Sequence, residues 1–428
     1  MTIRRSLLLL CTIVLLCSVG VSQANERTVN VITQPPLGTI SPYVFGANYG
    51  PWALLPVGLW DQAAEGGFTF LRFPGGAWGD QNDLAPYHID PFVKFARRLN
   101  AEPLIHVRLA GSTPERAASV VRYVNIEQGY GVRFWSIGNE PNLYRDYTAE
   151  QFAKDWRAFA LAMLEVDPNI ILVGPDISQY PPNLNDYHAP LRDWIRVFMS
   201  QNADLVNIVS IHRYPLPTAM NAPATTIARL RDTAREWDFI VSDLRKVIRE
   251  AAGRDFPIGV LEVSSHWSKT LGGEATPDSF FHAIWWADVL TRLINHQVDM
   301  VAYFMLASYG GTDFGLFDRY AARPTFYVYP LYKRFGKTLL RVENNEPLLT
   351  VAAARDDAGQ LTVMVVNPFE SARTVRLSVD GAPACPIKSA WRLDQRLKAE
   401  PLTLETDEPI LSAPAFSATL YTLDANCR

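Results

Sequence analysis

Eight short runs rich in β-branched and aromatic residues, separated by stretches of helical periodicity, constrain the fold of this chain more than any other feature. They are "YVFGANYG", "FTFLRFPGG", "PLIHVRLAG", "RFWSIGNEP", "IILVGPDIS", "VNIVSIHRYP", "PIGVLEVSS" and "MVAYFMLAS". Strands that alternate with helices predict a parallel sheet covered by its crossover helices. The helical segments carry their own boundary signals. Thr148 stands three residues before Gln151, a capping-box spacing, and Phe152, Trp156, Phe159, Ala160 and Met163 recur on one face before Pro168. A second helix is predicted from about Thr226 to Ala252, closed by Gly253 and Pro257, and "FHAIWWADVLTRLINHQ" supplies a third. Eight strands with intervening helices in about 270 residues match an α/β fold of the (β/α)8 TIM-barrel type. An open doubly wound sheet is the structural rival, yet no glycine-rich dinucleotide fingerprint follows the first strand.

Past "ARPTFYVYPLYKRFG" the pattern shortens to alternating strands, as in "LLTVAAARDDAGQLTVMVVN", "RTVRLSVDG", "SAWRLDQ" and "AFSATLYTLD". This predicts a C-terminal antiparallel β-sandwich. The expected division is a barrel over residues 41–325 and a sandwich over 326–428, with "TVNVIT" in the 25–40 segment adding an edge strand to the sandwich. Ahead of it, Arg4 and Arg5 precede an apolar stretch from Leu7 to about Val19, and Ser22 and Ala24 occupy A-x-A-like positions, the pattern of a signal peptide over 1–24. Its apolar core is shorter than the roughly 20 residues of a spanning helix, so cleavage is expected over an uncleaved anchor. The mature chain is then secreted or periplasmic and free of membrane. Cleavage would remove Cys11 and Cys17 and leave Cys385 and Cys427, either paired or free.

A net charge of −4 and the lack of any long run of like charges argue against nucleic acid and anionic membrane as partners. A neutral or mildly polar ligand fits better. Aromatic residues at 11%, with 11 Trp, suit a ligand with flat apolar faces.

In a (β/α)8 barrel the C-terminal strand ends floor the active site, so a polar residue directly after an apolar strand faces substrate. "FWSIGNEPN" puts Asn139 and Glu140 there, and "FPIGVLEVSSHW" ends the seventh run on Glu262. Either acid alone has a bland explanation as a solvated loop residue. Together they supply what glycoside hydrolysis needs, one acid to protonate the leaving oxygen and a second to attack or to activate water. The Asn139 amide beside Glu140 suits a hydrogen bond to a sugar hydroxyl.

These residues carry a resemblance. "GNEPN" on the fourth strand and a strand-end Glu on the seventh resemble the clan of retaining (β/α)8 glycoside hydrolases whose catalytic glutamates sit on those two strands. The resemblance implies Glu140 as acid/base, Asn139 as its hydroxyl-binding neighbour, Glu262 as nucleophile, a carbohydrate substrate, and no metal or cofactor. Within the clan, "LRFPGG" at Leu71 to Gly76 and the trailing sandwich are similar to the branch of α-L-arabinofuranosidases, β-xylosidases and heparanase-like β-glucuronidases. The stretch "GNEPNLY...YTAEQFAKDWRAFA" followed by "VGPDIS" looks most like the last of these, so the implied substrate is a β-glucuronide, arabinofuranoside or xyloside. The chain departs from the pattern in two places. Val263 and Ser264 replace the Thr and Asn that usually follow the nucleophile in the heparanase-like group, and Tyr303 and Phe304 stand where the clan usually carries a Trp.

Other residues have a functional and a structural reading side by side. Arg72 can hold the nucleophile's charge or a hydroxyl, or form a structural ion pair. His212 and Tyr214 end the sixth strand, and the Tyr214 hydroxyl can donate to Glu262 and orient it. His106 reads as structural. Trp267, Trp78, Trp52 and Tyr309 sit in strand-to-helix loops, where they either stack on a sugar ring or simply pack. "GGEATPDS" and "SYGGTDFGLFD" read as flaps, with Glu274 and Asp313 solvated. No GxSxG elbow and no HExxH pair occur, and Cys385 and Cys427 fall in the sandwich, so other common hydrolase chemistry lacks support. A non-catalytic carbohydrate-binding protein on the same barrel, an inverting glycosidase and a transglycosylase stay open. So do the sugar, exo or endo cleavage, and the oligomeric state.

Overall fold

Eight parallel strands close into a barrel, one from each apolar run. They are β1 (Gly46–Asn48), β2 (Phe70–Phe73), β3 (Glu102–Val107), β4 (Phe134–Ile137), β5 (Ile171–Ile177), β6 (Ile208–Arg213), β7 (Ile258–Val263) and β8 (Met300–Tyr303). β8 pairs in parallel with both β7 and β1, which closes the ring. The computed structural model describes residues 27–216, 224–267, 273–309, 315–404, 408–425 and 427, so the 1–24 leader with Cys11 and Cys17, and Asp313, lie outside the described residues.

Inside the barrel, Phe70, Leu104, Phe134, Val173, Ile208, Leu261, Met300 and Ala302 form an apolar cluster of their own. Side chains two apart on a strand share a face. Two residues past Phe70, Leu104, Phe134 and Ile208 stand Arg72, His106, Ser136 and Ser210, all fully buried. The barrel interior thus changes from apolar to polar within one step. Two bulges alter the alternation. Between β5 and β6, Pro175 faces Ser210 and Ile177 faces Ile211, which leaves Asp176 as an extra residue. Between β6 and β7, Ile211 faces Val260 and His212 faces Glu262, which leaves Leu261 as the extra one. A bulge re-aims the side chains beyond it.

The helices follow their sequence signals with one difference. The Thr148 hydroxyl accepts the Gln151 N–H at 3.2 Å and caps the helix Ala149–Val166, whose buried face includes Phe152, Trp156, Phe159, Ala160 and Met163. The helix expected over 226–252 is two, Ile227–Thr233 and Glu236–Ala252. Three-residue-spaced hydrogen bonds, Ala234 N–H to Arg231 and Arg235 N–H to Asp232, tighten the chain between them, and Leu230 and Trp237 both reach the core. Gly253 closes the second in the left-handed conformation (φ 72°). The third, Phe280–Asn295, is buried almost all round because barrel and sheet cover it from both sides. Asp288 accepts the Thr350 hydroxyl at 2.6 Å and Asn295 donates to the Val351 carbonyl at 2.9 Å, tying it to the sheet.

The C-terminal domain is one curled, mostly antiparallel sheet of eleven strands that folds over as a sandwich. Strand Thr338–Asn344 turns the corner: its first half pairs with Thr350–Arg355 and its second half with the N-terminal strand Thr28–Ile32. That N-terminal strand is interior rather than at an edge, running antiparallel to Thr338–Asn344 and parallel to Arg373–Val379. Val29 and Val31 point into the sandwich core, so both its edges and one face are occupied. Leu361–Asn367 is buried at every position because Val363 and Val365 face the sandwich core while Met364 and Val366 pack on the barrel side. The sheet therefore buttresses the barrel. Cys385 and Cys427 are free thiols side by side, with the Cys385 N–H donating to the Cys427 sulfur at 2.9 Å. Among the described residues no helix is long and apolar enough to cross a membrane.

Candidate active site

Glu140 follows β4 in a left-handed turn. Gly138 (φ 76°) and Glu140 itself (φ 50°) both take positive φ, and for a non-glycine residue that costs on the order of 1 kcal/mol. Two hydrogen bonds hold the turn. The Glu140 N–H donates to the Asp176 carbonyl at 3.0 Å, and the Asn139 N–H donates to Asp80 Oδ2 at 2.6 Å. Asp80 also accepts from the Leu109 N–H at 3.0 Å and from the Tyr144 hydroxyl. Burial alone would raise the Asp80 pKa, but the His106 ring and these donors bring it below the ordinary carboxylate value.

Glu262, carried inward beyond the β7 bulge, accepts three donors, two from the end of β2 and its loop and one from the end of β6. Arg72 Nη1 on β2 reaches Oε1 at 2.7 Å, the Gly76 N–H reaches the same oxygen at 2.9 Å, and the Tyr214 hydroxyl reaches Oε2 at 2.7 Å. Burial pushes its pKa up, yet the His212 and Arg72 charges and the Tyr214 and Arg72 hydrogen bonds outweigh burial and hold it below the usual Glu value. Tyr214 is driven well above the ordinary phenol value, first by burial and then by the two glutamates, so it stays a donor.

His212 Nδ1 lies 3.1 Å from Glu140 Oε1 and 3.8 Å from Glu262 Oε2. One oxygen of each glutamate and one His212 nitrogen lie within 4.8 Å of one another. Such a cluster has the donor types of a metal site, but Glu262 already accepts three hydrogen bonds and lies 2.7 Å from the Arg72 guanidinium, whose charge opposes a second cation there.

Arg72 is the hub. Besides Glu262 it donates to Asn139 Oδ1 at 2.8 Å, Asn48 Oδ1 at 3.0 Å and Asp176 Oδ2 at 3.2 Å. With Asn139 Oδ1 facing a guanidinium, its amide N–H groups are the part turned toward a ligand, so Asn139 acts as a donor. Phe304 closes the eighth side: its ring meets Tyr214 edge-on at 6.1 Å, whereas Tyr303 is buried behind the barrel against Trp286 at 5.0 Å. Of the two aromatics at the β8 end, Phe304 therefore faces the site.

The remaining sequence candidates make contacts of their own. Trp267, just past β7, is 55% exposed. Tyr309 donates its hydroxyl to the Leu54 carbonyl and lies 5.3 Å from Arg319, which ties two loops together. Trp52 points its indole N–H at the Met305 sulfur at 3.1 Å, and Trp78 packs edge-on against His88 at 5.2 Å. His106 is structural, 3.2 Å from the Pro74 carbonyl and 3.7 Å from Asp80. Glu274 is not merely solvated: it accepts the Ile227 N–H at 3.3 Å across the loop. Sequence reasoning missed Asn48, Asp80 and Asp176. For Asp176 the signal was present, an acid set in the apolar run "IILVGPDIS", the same pattern that exposed Glu140 and Glu262.

The solved structures most like this one in fold include the family 51 arabinofuranosidase from Xanthomonas axonopodis pv. citri (TM-score 0.76, 16% identity, 93% of this chain and 100% of that one). This chain has the fold of a (β/α)8-barrel glycoside hydrolase. An α-L-arabinofuranosidase from Thermotoga maritima, solved with arabinose, matches at TM-score 0.72 and 17% identity over 93% and 100% of the two chains. A family 44 xyloglucanase from Paenibacillus polymyxa, solved with xyloglucan, matches at 0.70 and 14% over 93% and 99%. In sequence, alpha-L-arabinofuranosidase C of Emericella nidulans is 26% identical over 180 residues, 37% of this chain and 35% of the relative, so the match spans about a third of that protein's length. No family model matches the chain.

Proposed function

We propose that this chain is an exported retaining glycoside hydrolase that cleaves poly- or oligosaccharide by double displacement. The observation that carries the reading is the approach of Glu140 and Glu262, with oxygens within 4.8 Å, from the ends of β4 and β7. A carboxyl pair about 5–5.5 Å apart leaves room for a sugar but not for an intervening water, the geometry of retention.

Glu262, kept ionised by Arg72, attacks the anomeric carbon and forms a glycosyl ester as the glycosidic bond breaks. Glu140 gives its proton to the departing oxygen. A water then takes the leaving group's place; Glu140 removes its proton, the ester bond breaks, and Glu262 is regenerated. His212 donates to Glu140 Oε1, which reserves Oε2 for the transferred proton. The Asn139 amide donates to the hydroxyl beside the anomeric carbon, and Phe304 offers a ring face to the sugar. Arabinofuranosides lead the substrate list, since the sequence relative and several fold neighbours are arabinofuranosidases, with β-xyloside and β-glucuronide next. The apolar stretch behind Arg4 and Arg5 supports export.

Aryl α-L-arabinofuranoside, β-D-xyloside, β-D-glucuronide and β-D-glucoside test the reading. At least one should be turned over, Glu262→Ala should abolish that turnover, and azide should restore it with an inverted glycosyl azide as product. Normal activity in Glu262→Ala would sink the assignment. Tight binding of oligosaccharide without turnover would favour a non-catalytic carbohydrate-binding protein.

A further inference from the structure

Asp176 is a third carboxylate in the same buried cluster, and the proposed reaction gives it no step. Its surroundings are built with care. It is fully buried, takes φ 54°, and is the extra residue of the β5 bulge. A non-glycine residue in that conformation at a bulge is a costly way to aim one side chain. The aim is specific: Oδ2 lies 3.2 Å from Arg72 Nη2, Oδ1 accepts the Ser210 hydroxyl and lies 4.0 Å from His212 Nε2, and the Asp176 carbonyl holds the Glu140 N–H at 3.0 Å. His212 Nε2 has no hydrogen-bond partner among the described residues, and this carboxylate is the anion that faces it.

We propose that Asp176 is a positioning residue that keeps His212 as an imidazolium, so that Nδ1–H is always a donor to Glu140 and the acid's proton stays on its outer oxygen. Charge balance supports it. Buried charge is tolerated only when matched. In the state that gives a proton to the leaving group Glu140 is neutral, and Arg72 with a protonated His212 then balances the Glu262 and Asp176 carboxylates. Remove the Asp176 charge and the same neutrality is reached with His212 deprotonated, whose bare Nδ1 would accept the Glu140 proton and withhold it from the leaving group. The charged and titratable groups facing His212 are Glu140 from the β4 end, Asp176 on β5, Glu262 on β7, Arg72 on β2, and Tyr214 beyond β6 through its bond to Glu262. His212 accordingly sits above the ordinary imidazole value: burial opposes the charge, and Glu262, Glu140 and Asp176 outweigh it.

The catalytic consequence rests on the glycosidase reading, so the test uses a signal that needs no turnover. Nitrogen-15 histidine NMR on the full chain follows each of the seven His, with His212 assigned by its absence in His212→Gln. In Asp176→Asn, which keeps the shape and can still bond Arg72 and Ser210, the His212 midpoint should fall by about one pH unit or more. On whichever glycoside the wild type cleaves, kcat should drop at least about tenfold with KM little changed. Ser210→Ala covers the case in which Asp176→Asn does not fold: stripped of its hydroxyl donor, the Asp176 charge is less screened, and the His212 midpoint should rise. An unmoved midpoint in either folded variant, whatever the melting temperature does, overturns the inference. A wild type inert on every glycoside overturns the glycosidase reading alone, because the midpoint still decides the role of Asp176.

Discussion

The lower layer of the barrel interior is made by Phe70, Leu104, Phe134 and Ile208, and two residues further along the same four strands stand Arg72, His106, Ser136 and Ser210. Both layers are buried. The lower one is held by area removed from water, which needs no particular partner and tolerates substitutions of similar volume. The upper one is held by pairing, because each ion taken out of water is costly until an opposite charge and a full set of donors meet it. The comparison teaches where specificity resides: one layer makes the frame rigid, and the next, a step of two residues away, can hold charges only in the arrangement this frame permits.

Each prediction tests that division. Arg72→Met should have the largest effect. It leaves Glu262 and Asp176 buried without their shared cation, so stability should fall by about 3–5 kcal/mol in denaturant titration and activity should drop to background. Phe134→Ala, one layer down, should cost a comparable 3–5 kcal/mol or so by cavity formation, but the pH profile of kcat should keep its shape. A shifted profile there would break the comparison.

The pH dependence of the melting temperature should separate the layers next. Glu262 has a folded pKa below its ordinary 4.5, so its contribution is present above 4.5 and is lost as pH falls through the folded value. His212 has a folded pKa above 6.5, so its contribution is complete below 6.5 and is lost as pH rises through the folded value. Stability should therefore decline on both sides, Glu262→Gln should flatten the acid side and His212→Gln the alkaline side, and Phe134→Ala should lower the whole curve without flattening either.

Tyr214→Phe removes one donor to a charged acceptor, worth about tenfold to a hundredfold in kcat, and the acid limb should move to higher pH because a cause that lowers the Glu262 pKa is gone. Ser136→Ala should have the smallest effect. Its hydroxyl is buried without a partner among the described residues, so the variant should be neutral or stabilised by about 1 kcal/mol, and a clear loss would place an unseen polar partner in the upper layer.

The strands were legible because their apolar runs are long enough to cross a barrel and are punctuated by Gly, Pro and Asn, and Glu140 and Glu262 stood out as acids abutting such runs. The helix over 149–166 was legible through Thr148 and its apolar face. Less legible was the break between Thr233 and Glu236, where the helical pattern continues through Ala234 and Arg235 and only the contacts of Leu230 and Trp237 decide the turn. Tyr309 has a stacking and a packing reading from its place in a loop, and the sequence carries no sign that its hydroxyl bonds the Leu54 backbone 255 residues away. The sequence places the N-terminal strand with the sandwich, but an isolated strand says nothing about how many neighbours it finds, and it has one on each side.

By itself the sequence determined that this chain alternates eight strand runs with helices and that two of those runs end in acids, because periodicity and chain order are local properties. Only the tertiary structure decided which side chains point inward beyond the bulges of β5 and β7. A strand's period of two assigns every residue a face, and a single inserted residue reverses that assignment for all that follow. The two insertions are fixed by pairing with β6, a neighbour whose register no local stretch of β5 or β7 specifies.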